Sequence, residues 1–337
     1  MRKLTSLLLG LAMAAPVLDA QAIERNWLRY PPVIATRSNG ADIYAVGDAH
    51  SDYVRLSRVL KAAGLIDDKH NWTGGRSILV VTGDMIDKGP RALDVLNLLN
   101  ELRGEAGSMG GRVIILAGNH EAEFLANPKA KKGAEFASQL RADKLDPEEV
   151  GRCEGPVGVF LCTLPFAAKV DDWFFSHAGN SGGRSFEKLA ADIQAGVDKD
   201  GYRTKELIGE DSVLEARLDK DGPNGKPWLE ERMPKEDEKA LLETNAAALG
   251  VKHIVEGHKP AEVVFQDGVV RHAGEMFQRW GLFFLIDTGM SEGVNDSHGA
   301  VLHISKDTGT AICPDGTQTL LWSAAEKQDV GRAKPCR

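Results

Sequence analysis

Aromatic residues are scarce in this 337-residue chain, at 6%, and basic residues are not in excess: Lys+Arg 41 stand against Asp+Glu 49, a net charge of −8. Without a basic surplus the chain is not an electrostatic nucleic-acid binder, although a local basic pocket is compatible with that balance. Internal repeats and low-complexity tracts are missing, and after the first residues no run is long and apolar enough to cross a membrane, which takes about 20 residues. Cysteines number only four, and nothing in their spacing suggests zinc. What the chain does have is 42% hydrophobic content, enough to fill the core of one large domain.

The N-terminus, MRKLTSLLLGLAMAAPVLDAQA, reads as a secretory signal peptide over residues 1–22. Arg2 and Lys3 form the charged region, Leu7 to Ala15 the apolar region, and Ala20-Gln21-Ala22 an A-x-A cleavage site, so the mature chain is expected to start at Ile23. An uncleaved membrane anchor is the alternative; the apolar run is short for a span, and no cysteine lies near for lipid attachment. The expectation is therefore a periplasmic or secreted protein with no stable membrane insertion after cleavage. Export gives the cysteines meaning, because oxidising compartments allow disulfides. Four cysteines permit three pairings. The preferred one joins Cys153 to Cys162 across EGPVGVFL, a segment able to turn back on itself, and Cys313 to Cys336; free buried thiols are the alternative.

The recurring unit is an apolar strand ending in Gly or a polar residue. ADIYAVGD (41–48), SILVVTGD (77–84) and RVIILAGNH (112–120) are successive examples. Between the first two, Leu56, Val59, Leu60 and Ala63 share a helical face. Pro90 suits a helix start, and Leu93, Leu96, Leu99 and Leu102 follow at helical spacing. Strands alternating with helices imply an α/β fold with parallel pairing. Residues 121–165 and 186–250 read as helical insertions, the second interrupted at DGPNGKPW (221–228). DDWFFSHAG (171–179), HIVEGH (253–258), WGLFFLIDTG (280–289) and GAVLHISKD (299–307) read as strands, and residues 323–337 as a solvated tail. Residues 23–322 thus form one α/β domain.

Ligands of open α/β sheets gather outside the carboxyl ends of the strands. This chain places Gly47-Asp48-Ala49-His50, Gly83-Asp84-Met85-Ile86-Asp87, Gly118-Asn119-His120-Glu121, Ser176-His177-Ala178-Gly179 and Glu256-Gly257-His258-Lys259 there. Each alone has a plainer reading: a turn-forming Asp, a capping box, or a hydrogen-bonded core histidine. Five loaded strand ends in one sheet are not explained that way. His70, His253, His272, His298 and His303 lack this context and read as structural or surface residues. Carboxylates, imidazoles and a carboxamide suit Mn²⁺, Fe²⁺ or Zn²⁺. With more ligands than one ion needs, two metals roughly 3.5–4 Å apart and bridged by a carboxylate are the economical arrangement.

In that order the motifs GDAHS, GDMIDKG, GNHE, SHAG and EGHK, spanning residues 47–258, resemble those of the calcineurin-like metallophosphoesterase superfamily. Within it they resemble the phosphoprotein phosphatases, most closely the Shewanella-like branch. The resemblance implies a central β-sandwich flanked by helices with a dimetal site at the strand ends. It implies one metal on Asp48, His50 and Asp84, and a second on Asp84, Asn119, His177 and His258, with Asp84 bridging. It also implies that a bridging hydroxide attacks phosphorus directly while His120, oriented by Asp87, protonates the leaving oxygen. Two departures stand out. Ser51 replaces a family Gly, and Lys88 replaces the phosphate-binding Arg, keeping charge but losing the bidentate fork. Arg91 then supplies a guanidinium, Asn119 also faces phosphate, and Arg232 (alternatively Arg217) is the second phosphate-binding Arg. The implied substrate is a phosphorylated protein, on Ser/Thr or Tyr, or a small phosphoester. A symmetrical diadenosine tetraphosphatase-like nucleotide hydrolase and a non-catalytic metal-binding scaffold are the other readings, the scaffold being disfavoured because Asp87 and His120 are both present.

Overall fold

The structure is a computed structural model that describes residues 25–217, 238–295, 297–326 and 328–337. The leader over residues 1–22, the interruption at 221–228 and Arg232 lie outside the described residues. The strands are β1 (Val33–Thr36), β2 (Ile43–Val46), β3 (Ile78–Val81), β4 (Arg112–Ile115), β5 (Ala167–Val170), β6 (Trp173–Ser176), β7 (His253–Glu256), β8 (Val263–Val264), β9 (Val270–Arg271), β10 (Met276–Arg279), β11 (Phe283–Leu285), β12 (Val301–Ser305), β13 (Thr308–Ile312), β14 (Gln318–Ser323) and β15 (Val330–Ala333). The helices are α1 (Tyr53–Ala62), α2 (Ala92–Ser108), α3 (Asn119–Ala126), α4 (Ala134–Ala142), α5 (Pro147–Gly151), α6 (Gly155–Cys162), α7 (Phe186–Asp200), α8 (Lys205–Ile208) and α9 (Glu238–Leu249).

Two sheets, ordered β1-β5-β6-β7-β11-β10-β15 and β14-β13-β12-β2-β3-β4, pack face to face, and β8 pairs with β9 apart from them. The period of two along β3 shows how. Ile78 and Val80 join Ile43, Val170, Phe175, Val255 and Phe284 in the core between the sheets, while Leu79 and Val81 join the second core, under the helices. Both faces of β3 are covered, so all four residues are buried and apolar. Helix α1 begins where the Asp52 carboxylate accepts from the Arg55 N–H at 2.9 Å, and it buries Leu56, Val59 and Leu60. Among the described residues no helix is long and apolar enough to cross a membrane.

The sandwich matches expectation, and four details correct it. Strands β2, β3 and β4 are parallel, but β12, β13 and β14 add antiparallel neighbours, so the sheet is mixed. Pro90 lies outside α2, whose N-cap is Arg91. EGPVGVFL does not turn back: it forms α6, with Pro in the first turn where its missing N–H is harmless. The polar C-terminus is not a solvated tail. β15 pairs antiparallel with β10 in alternating burial, a short pattern easily read as loop. Disulfides join Cys153 to Cys162 and Cys313 to Cys336, the preferred pairing, and no cysteine is free.

Candidate functional site

The parallel strands β2, β3 and β4 end side by side, and their loops must turn within one or two residues. His50, Ser51, Asp84, Asp87, Lys88 and His258 all adopt positive φ, a conformation tolerated where surrounding structure enforces it. Two glycines bring the loops into contact. A Cβ on Gly83 (φ +105°) would lie 2.4 Å from the Gly118 nitrogen, and one on Gly118 would lie 2.2 Å from Asp84 Oδ1. The buried Glu121 carboxylate then fastens the junction. It accepts from the N–H groups of Asp84 (2.9 Å), Met85 (2.8 Å), Ile86 (3.2 Å) and Gly118 (2.8 Å). Four N–H groups at one carboxylate satisfy a loop that no ladder could reach.

On this platform Asp84 is shared by two groups of donors. Ligand atoms of Asp84, His50 and His120 lie within 4.8 Å of one another, as do those of Asp84, His177 and His258. His50 Nε2 is 3.5 Å from Asp84 Oδ2 and 3.9 Å from Asp48 Oδ2. His177 Nε2 is 3.3 Å from Asp84 Oδ1, 3.1 Å from Asn119 Oδ1 and 3.1 Å from His258 Nδ1. Backbone carbonyls set the tautomers. Ile86 O lies 3.1 Å from His50 Nδ1, and Thr82 O lies 3.0 Å from His177 Nδ1, so each Nδ1 carries the hydrogen and each Nε2 offers a lone pair. Asp48 accepts from the His258 N–H at 3.0 and 3.1 Å, joining the first and last motifs.

Lone pairs therefore face lone pairs, and buried ones at that, which is repulsive unless a cation or proton lies between them. His258 Nε2 is buried with no hydrogen-bond partner among the described residues. This donor set fits two divalent cations, with Asp84 between them. In the metal-free protein the histidines are shifted in opposite directions. Burial holds His50 down at about 3 against the pull of Asp84. Burial also pushes His177 down, but the Asp84 and Asp48 carboxylates outweigh it and lift His177 to about 10. Burial, then His177 and Arg217, push His258 well below its ordinary value.

The acid–base pair expected from the sequence is assembled: His120 Nδ1 lies 2.8 Å from Asp87 Oδ2, and the other Asp87 oxygen accepts from the Phe136 N–H at 3.2 Å. Lys88 reaches inward, its ammonium donating to His50 Nε2 at 2.9 Å. Arg91 lies further out, its guanidinium 4.3 Å over the Tyr53 ring and 2.6 Å from Asp94 Oδ2. Lys88, Arg91 and Tyr53 line a cavity of about 710 Å³. Arg217 lies close enough to His258 for its charge to bear on it.

Three residues in contact with the candidate site were not singled out by the sequence. Glu121 was visible in GNHE, but only as a cap. Asp287, from IDTG, is buried beside Asp48, whose carboxyl burial and Asp287 together push well up. Glu215, which accepts from Asn119 Nδ2 at 3.0 Å, carried no motif. Burial, opposed by Lys132 and assisted by Glu123, lifts Glu215 to about 7.

A two-sheet sandwich whose strand ends gather oxygen and nitrogen donors around one shared aspartate has the form of a metallophosphoesterase. The chain belongs to the calcineurin-like phosphoesterase family, whose model matches residues 41–279. Shewanella-like protein phosphatase 2 of Arabidopsis thaliana is 28% identical over 322 residues, covering 80% of this chain and 76% of that protein. The cold-active protein-tyrosine phosphatase of a psychrophile Shewanella sp. shares the fold, with TM-score 0.61 at 22% identity, over 86% of this chain and 82% of that one. Over a shorter stretch of 83 residues, the symmetrical bis(5'-nucleosyl)-tetraphosphatase of Enterobacter sp. (strain 638) is 34% identical, covering 25% of this chain and 24% of that protein. The chain is thus a phosphoric monoester hydrolase of a dimetal-dependent family, related to Shewanella-like protein phosphatases.

Proposed function

We propose that this enzyme is an exported phosphatase that removes phosphate from phosphoproteins, on Ser/Thr or Tyr. The observation that carries the reading is the sharing of Asp84 by both donor groups, with the His120–Asp87 pair at their edge. Two divalent ions, when bound, supply an activated water and positive charge against the phosphoryl oxygens. Asp48, His50 and Asp84 would hold one ion, and Asp84, Asn119, His177 and His258 the other. The mixed carboxylate, carboxamide and imidazole set suits Mn²⁺, Fe²⁺ or Zn²⁺. His120, held through Nδ1 by Asp87, directs Nε2 at the leaving oxygen and delivers its proton there. Lys88, Arg91 and Asn119 orient the phosphate, and Arg217, the alternative to Arg232, adds a guanidinium from the His258 side. Two disulfides together with the N-terminal leader support export.

The shorter stretch of higher identity to a symmetrical tetraphosphatase supports a second reading, nucleotide hydrolysis. One assay separates the two. The mature chain from Ile23, stripped of metal and reloaded with Mn²⁺, is offered phosphoserine, phosphothreonine and phosphotyrosine peptides beside diadenosine tetraphosphate, with Asp84→Asn as control. Peptide turnover absent from the control is expected. Turnover of the nucleotide alone would discard the protein substrate and leave the two-metal chemistry standing.

A further inference from the structure

We infer that Glu215 is a positioning residue for the metal centre: its carboxylate sets which way round the Asn119 carboxamide stands. The inference rests on the reading of Asn119 as a metal ligand. A carboxamide offers an oxygen and a nitrogen of nearly equal size, and only its neighbours decide which end faces where. On one side of Asn119 stands Glu215, which in its ionised form offers only acceptors, with Oε1 3.0 Å from Nδ2. On the other side stand His177 Nε2, 3.1 Å from Oδ1, and Asp84 beyond it. In the opposite orientation Oδ1 would oppose the Glu215 carboxylate, and the NH₂ group would point its hydrogens into the space a cation needs. Glu215 therefore selects the orientation in which an oxygen is offered to the centre.

Glu215 is itself held. Its N–H donates to Ser212 Oγ at 3.1 Å, and its Oε1 lies 3.7 Å from the ammonium of Lys132, which also pairs with Glu123. Lys132 balances the carboxylate, whose side chain is only 15% exposed. The contact spans 96 residues of sequence, so the segment that follows α8 corrects a ligand displayed at the start of α3.

The test uses the mature, metal-free protein titrated with Mn²⁺ alone, bound metal being counted by elemental analysis after equilibrium dialysis. For Glu215→Leu, the second Mn²⁺ is expected to bind about 10–100-fold more weakly while the first is unchanged. Glu215→Gln, whose carboxamide can turn either end toward Asn119, is expected to weaken binding of the second ion less than Glu215→Leu does. The double variant N119A/E215L is expected to match N119A alone, because Glu215 acts only through Asn119. Wild-type binding of both ions by E215L, or a loss that adds to that of N119A, would overturn the inference. Unchanged binding by N119A would instead overturn the assignment of Asn119 as a ligand. Should E215L not fold, Glu215→Asp decides: drawn back by one methylene, it must show the same selective loss, and two tightly bound ions would refute the role.

Discussion

The two groups of donors that share Asp84, the halves of the candidate metal centre, are built differently. His50 and His120, with Asp48, Asp87 and Lys88, come from residues 48–120, the three parallel strands and their loops. Their partners are local to that unit: Ile86 O for His50 and Asp87 for His120. His177 and His258 come from the opposite sheet, and their half is completed by Asn119, Glu215 and Arg217. There the contacts reach far along the chain, 95 residues from His177 to Thr82 and 210 from His258 to Asp48. The difference teaches that one half forms with its own supersecondary unit, whereas the other exists only once both sheets have docked.

Substitution at the shared residue should erase the distinction. In Asp84→Asn, affinity for both ions is expected to fall by more than the roughly 100-fold typical of losing an outer partner, as measured by elemental analysis. Two ions retained tightly would make the halves independent. A change confined to the first half sharpens the contrast. His120→Asn is expected to lower kcat about 10²–10⁴-fold with both ions still bound, and least for p-nitrophenyl phosphate, whose leaving group needs no proton. Intact turnover would remove His120 as the donor.

Acidity distinguishes the halves more gently. Metal must displace the proton that His177 carries up to about 10, whereas His50 is already neutral above about 3. Apparent affinity in the second half should therefore rise with pH from pH 7 upward, as metal displaces the proton of His177. Calorimetry in buffers of differing ionisation heat reads this as protons released on metal binding. The same values set stability without metal. The raised His177 contributes fully below its ordinary 6.5, and that contribution fades as pH climbs through about 10. The depressed His50 contributes above 6.5, and that contribution is lost as pH falls through about 3. Thermal unfolding of metal-free protein from pH 5 to 9 checks both. The smallest effect on the site belongs to C313S/C336S. Opening a link of sequence separation 23 should lower stability by roughly 3 kcal/mol in urea, with Mn²⁺ affinity unchanged in either half.

The same contrast governs what could be read from the sequence. The candidate ligand residues were legible because they cluster at strand ends, most of them beside a glycine, in patterns a few residues long. The helical faces of α1 and α2 were legible for the same reason. Glu215 was not, because its value lies in an amide 96 residues away. Nor was Arg271, fully buried, whose guanidinium donates to the carbonyls of Glu275, Lys259, Ala261 and Asp287 and so ties the His258 loop to the strand that follows. Nothing local marks a residue whose partners are backbone oxygens of remote turns. β15 was missed because two buried residues among polar neighbours give too short an alternation to declare a strand.

The contact between Gly83 and Gly118 bears on both groups of donors. Two hydrogen atoms stand where other residues carry methyl groups, and they let main chain rest against main chain directly behind Asp84. The carboxylate shared by the two donor groups is thereby held against main chain. The imidazoles of His50, His177 and His258 come from other loops and are not set by this contact. Any side chain larger than hydrogen at either glycine would therefore displace the shared aspartate and, with it, both groups of donors at once.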